Sequence, residues 1–180
     1  MSNDHFARQP QVPSFTVTSP DISEGAALPP AMYSGSFGVP GGEDRSPALS
    51  WSGAPENTAS YAVTCYDPDA PTGSGFWHWA LFNIPASVRE LPARAGDASG
   101  AGLPAGAVQL RNDGGAVGFI GAAPPAGHGP HRYIFVVHAL DVASLDVPAD
   151  ASPAFLGFNI FHHLLGRAVI TTTGEIPAER

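Results

Sequence analysis

Lysine is absent from this chain of 180 residues. Its eight basic side chains are all arginine and face sixteen Asp and Glu, for a formal net charge of −8. An acidic chain without lysine presents no basic patch to a phosphate backbone, so nucleic acid is not an expected partner, and an anionic membrane would repel it. The same absence removes the Gly-Lys-Ser/Thr core of a P-loop and with it nucleotide hydrolysis of that type. Cysteine occurs once, at Cys65, so no internal disulfide can form. That usage suits a reducing compartment, and residues 1–13 carry no apolar stretch of signal-peptide length, so a cytoplasmic protein is expected. No run approaches the roughly 20 consecutive apolar residues of a membrane span, and no membrane insertion is expected. Charged residues are scarce at 13% of the chain, about half the ordinary share.

Glycine and proline, in contrast, are plentiful, at 21 and 19 residues. Turns and loops must therefore be many, which disfavours a helical bundle, and no period of three suggests collagen. A chain of this length favours one domain and can bury a core without a metal or disulfide. Residues 1–13 are polar with two prolines and read as a flexible N-terminal arm; residues 14–180 read as the domain.

Strands dominate the pattern. Ser14 to Ser19, Ala48 to Ser52 and Ser60 to Tyr66 alternate, the last with Tyr61, Val63 and Cys65 on one face. Trp77 to Ile84 is apolar on both faces except for His78 and Asn83. Tyr133 to Asp141, with Ile134 to Val137 in an unbroken run, reads as a central strand. Val108 to Asn112 and Ala168 to Thr173 are shorter candidates, and Arg89 to Gly106 reads as a long surface loop. One helix is expected: Ser152 as N-cap, Pro153 in the first turn, then Phe155, Leu156, Ile160, Phe161 and Leu164 at helical spacing, with Gly166 to end it. The fold class is mainly β, with long loops and a C-terminal helix.

Two loop–strand junctions concentrate polar groups. Asp67-Pro68-Asp69-Ala70-Pro71 precedes Trp77-His78-Trp79, and a Gly/Pro-rich stretch from Gly121 precedes His131-Arg132-Tyr133. Each holds a group that is costly to bury unpaired. His131 and Tyr133 share strand parity and so a face. Convergence of Asp67, His78, His131 and Tyr133 on one pocket satisfies them all. The carboxylate would fix an imidazole tautomer, and the ring N–H groups, the phenol and backbone N–H groups would be donors for a small anion.

These segments resemble the two signature regions of the phosphatidylethanolamine-binding protein family, and most closely its bacterial branch of Raf kinase inhibitor-like proteins. Ser46-Pro47 with Leu49-Ser50-Trp51, and Gly157-Phe158-Asn159, resemble further family segments. The resemblance spans about Ser14 to Thr173 and implies a fold of two antiparallel sheets with a pocket for phosphate or a phosphoryl head group. It assigns Asp67, His78, His131 and Tyr133 to that pocket, Gly121 to a backbone-donor position, and Asp69 and Pro71 to shaping the first loop. It also makes a homodimer an expectation.

Other readings compete at single residues. Asp67 and Asp69 could simply cap their own turn, as Asp-Pro loops do. His128-x-x-His131 with His78 suggests zinc, but His128 sits among Gly and Pro, so no metal site is expected. No cofactor motif occurs. Ser74 with a histidine and Asp67 could compose a hydrolase, yet Ser74 lies in Thr-Gly-Ser-Gly and not in a nucleophile elbow. Cys65 reads as a small buried hydrophobe. The function expected is a non-enzymatic anion-binding module. The alternatives are an inhibitor of a kinase or protease that acts on a protein partner through its loops, and a small hydrolase.

Overall fold

A computed structural model describes residues 4–179. Eight strands form two antiparallel sheets. The small sheet has the order β1 (Thr16–Thr18), β2 (Leu49–Ser52), β5 (Glu90–Leu91). The large one has the order β6 (Val108–Gln109), β4 (Phe76–Pro85), β3 (Ser60–Asp67), β7 (His131–Leu140), β8 (Leu164–Gly174). Helix α1 (Pro153–Phe161) joins β7 to β8.

The alternation read in β3 divides two cores. Tyr61, Val63 and Cys65 face the small sheet and pack with Leu49, Trp51, Trp79 and Phe135. Ala62 faces the other way, into a core of Phe82, Leu110, Leu140, Leu156 and Ile160 under α1. Strands β3 and β7 sit inside the large sheet and are buried on both faces, which is why their sequences are apolar almost throughout. Asn83 adopts φ 58° where the β3–β4 register slips, and its Oδ1 accepts from Leu145 N at 2.8 Å. Asn tolerates that left-handed backbone better than most residues.

Several expectations change. Strand β5 interrupts the stretch 89–106, held by pairing to β2. Helix α1 starts as read, with Ser152 Oγ accepting from Phe155 N at 3.1 Å, but it ends at Phe161 with His162 as C-cap. Leu164 and Gly166 belong to β8, so glycine does not stop the helix. Phe155 and Phe161 lie on its outer face, 43% and 58% exposed. Residues 1–3 of the expected arm lie outside the described residues. Residues 4–13 run along β8: Arg167 N donates to Pro13 O, and its Nη1 donates to Pro10 O, both at 3.1 Å. The His5 ring lies 5.0 Å from that of Tyr66.

Candidate functional site

The site forms where the C-terminal end of β3 and the first residues of β4 and β7 meet. Asp67, His78, His131, Tyr133, Gly121 and Pro71 line one cavity of about 210 Å³ there. Asp69 is not among the residues that line it.

Asp67 is buried, and both its oxygens are satisfied. Oδ1 accepts from Asp69 N at 2.7 Å and Ala70 N at 3.1 Å, which folds the loop back on itself. Oδ2 accepts from His131 Nδ1 at 2.7 Å. The turn-capping role and the pocket role are therefore held by one side chain. Asp69 accepts from Arg132 N, Nε and Nη2, each at 2.9 Å, so a forked ion pair pins the first loop to the start of β7. Arg132 holds the Asp69 carboxyl below the usual carboxylate range.

These bonds fix the tautomers. His131 donates through Nδ1 to Asp67, so its Nε2 faces outward, where His128 Nδ1 lies 2.6 Å away. One of those two nitrogens must carry the shared proton. His78 donates through Nδ1 to Ile120 O at 2.8 Å. Burial pulls its pKa down, against the opposing pull of that carbonyl, so the ring stays neutral and Nε2 keeps a lone pair. His78 thus offers an acceptor where a donor was expected, and the outer nitrogen of His131 is taken up by His128. Tyr133 lies edge-on to His78, centroids 5.1 Å apart, and its hydroxyl carries no bond among the described residues. Burial raises its pKa, with the Asp67 charge adding to the shift, so it stays a donor.

Gly121 needs to be glycine because a Cβ would stand 2.4 Å from the Tyr33 carbonyl carbon. Its N–H, however, donates to Asp44 Oδ1 at 2.8 Å, so it is not the open backbone donor expected. That carboxylate lies 77 positions away in sequence, and no local signal announces it. His128 is exposed, and the structure puts its ring against His131. The His-x-x-His spacing was the available signal. No group of three or more His, Cys, Asp or Glu placed so that it could hold a metal ion occurs among the described residues.

A family model for phosphatidylethanolamine-binding protein matches residues 18–175. The chain belongs to the phosphatidylethanolamine-binding protein family. Within it, the UPF0098 protein YbcL of Escherichia coli K12 is 49% identical over 166 residues, 92% of this chain and 90% of YbcL. The UPF0098 protein YbhB of the same organism is 48% identical over 153 residues, 85% of this chain and 95% of YbhB. The crystal structure of E. coli YbcL superposes with a TM-score of 0.88, covering 91% of this chain and 99% of that one. The fold of two antiparallel sheets is thus the family's. No helix among the described residues is long and apolar enough to cross a membrane.

Proposed function

We propose that the cavity around His78, His131 and Tyr133 binds a small phosphoryl anion, free or as a head group, without turning it over. The observation that carries this reading is hydrogen-bonding capacity left over in one place: the Tyr133 hydroxyl and the His78 Nε2 lone pair, from two strands, line a single cavity beside the Asp67–His131 pair. A neutral His78 accepts rather than donates, so it favours a ligand that brings its own proton. The monoanion of a phosphate monoester does so, with its P–OH to His78 Nε2 and an unprotonated oxygen on the Tyr133 hydroxyl. Local donors must supply the attraction, because the net charge of −8 repels anions at a distance.

Binding is favoured over hydrolysis by the hydroxyls at hand. Thr72 donates to the Gly75 carbonyl, Tyr133 is held protonated, and Ser74 sits in the exposed loop with its carbonyl on the Tyr66 hydroxyl. A reducing, cytoplasmic setting suits the single thiol, which is buried and free.

The test is an NMR titration with inorganic phosphate and O-phosphorylethanolamine that follows the histidine ring signals. The His78 and His131 signals shift, and His78→Ala and His131→Ala remove the response. O-phosphorylethanolamine binds more tightly at pH 6 than at pH 8, by up to about 50-fold, as its monoanion is depleted above a second pKa of about 6. Sulfate, which carries no proton at either pH, binds more weakly than phosphate at pH 6. An absence of shifts up to roughly 20 mM ligand would leave less than about 2.5 kcal/mol of binding and end the reading.

A further inference from the structure

A second, larger cavity of about 310 Å³ lies on the opposite face of the large sheet, between α1 and residues 5–10. Trp77, Ile134, Val136 and Ile160 give it apolar walls. Beside the neutral Gln9, Thr64 and Tyr66, its polar lining is arginine and histidine. Arg8, Arg167, His5 and His138 line it, and no carboxylate does, in a chain with sixteen Asp and Glu.

Arg167 is the unusual member. It is only 8% exposed, yet no carboxylate pairs with it among the described residues. Nη1 donates to Pro10 O at 3.1 Å, Nη2 reaches Gln9 Oε1 only at 3.4 Å, and buried Nε has no partner. His138, also 8% exposed, bonds Thr64 Oγ1 through Nε2 and leaves Nδ1 without a partner. A buried guanidinium without a counter-ion is costly, and the natural relief is an anion that enters with its own apolar body. Burial lowers the pKa of Arg167, and the Arg167 charge adds to the burial that pushes His138 down. The guanidinium also lies over the Phe6 ring, 4.9 Å from its centroid; its Nε–Nη2 edge can take a carboxylate in two parallel bonds once the long contact to Gln9 gives way. One unbalanced buried charge matches a single negative charge better than a dianion.

We propose that this cavity binds a singly charged amphiphile, with a carboxylate on Arg167 and an apolar chain along Trp77, Ile134 and Ile160. The site is separate from the anion pocket, on the other side of β3 and β7, so one can fail without the other.

Decanoate is the probe, kept below its micellar concentration, with decanol as the uncharged control of the same chain length. Titration of the whole protein is followed on the eight arginine Nε–H signals and the His138 ring. Decanoate shifts the Arg167 and His138 signals saturably. It binds roughly tenfold or more tighter than decanol, the size of one hydrogen bond to a charged group. Arg167→Met keeps the apolar stem and removes that preference. Because Arg167 also ties down residues 9 and 10, a second variant avoids it. Gly157 lines the cavity and a Cβ there meets nothing within 4 Å, so Gly157→Phe fills the space without crowding the backbone and abolishes binding. His131→Ala leaves decanoate binding unchanged, and phosphate does not compete. Failure to saturate, equal affinity for decanol, or binding that survives Gly157→Phe would overturn the proposal and leave Arg167 as an anchor for the N-terminal segment only.

Discussion

At the residue scale, His128 bears on the proposed phosphoryl site through its contact with His131. Its ring occupies the one nitrogen of His131 that Asp67 leaves free. An anion that bonds His131 Nε2 must first displace that contact. His128→Ala is therefore expected to tighten phosphate binding by about two- to tenfold, the net worth of one hydrogen bond. A phosphate titration of the variant beside the parent protein checks this, and weaker binding would make His128 a ligand-holding residue instead. Side-chain types and strand parity pointed to Asp67, His78, His131 and Tyr133 from the sequence. The protons on those rings were not legible there. For His78 they are set by the backbone carbonyl of Ile120, which leaves no pattern in the sequence, and for His131 by Asp67 and by His128, of which the His-x-x-His spacing is the one trace.

At the scale of elements, the first loop is held to β7 by the Asp69–Arg132 fork, next to Asp67, which the end of β3 carries into reach of His131. Asp69→Asn is expected to cost about 1 kcal/mol in urea denaturation at pH 7. The Asp69 pKa is depressed in the folded protein, so its contribution is present above the unfolded carboxyl value of about 3.9 and is lost as pH falls through the lower folded value. The gap between parent and variant should accordingly close as the pH is brought below about 4. A gap that persists there would mean packing and not charge. Long strands were readable because β3, β4 and β7 state their period over eight or ten residues. Strand β5 has only two residues and exists through its partner β2, so nothing in Glu90–Leu91 reveals it. The helix end was obscured because Leu164 packs against the same core as Ile160, which carries an apolar spacing across the boundary into β8. The segment 4–13 shows no pattern of its own and is placed by Arg167, far away in sequence.

At the scale of the whole molecule, burying His138 makes the fold sensitive to acid. Burial first, then the charges of Arg167 and His5, pull its pKa from 6.5 down to about 3. The group's folded pKa lies below its unfolded one, so the unfolded chain takes up a proton that the folded chain refuses as pH falls between those values. Stability should thus decline by about 1 kcal/mol per pH unit below pH 6.5, and His78, shifted the same way, adds to the slope. Urea midpoints at pH 7, 6 and 5 measure it. His138→Leu should flatten the profile, and an unchanged slope would assign the acid sensitivity elsewhere. Cys65 has a consequence at the same scale. It is the only thiol, lies at the centre of β3 between the two sheets, and is 1% exposed, with burial and the Asp67 charge keeping it protonated. A maleimide reaches it only when that packing opens. The rate at which the native protein is labelled is therefore a clock for that opening, one event counted per molecule by a mass shift.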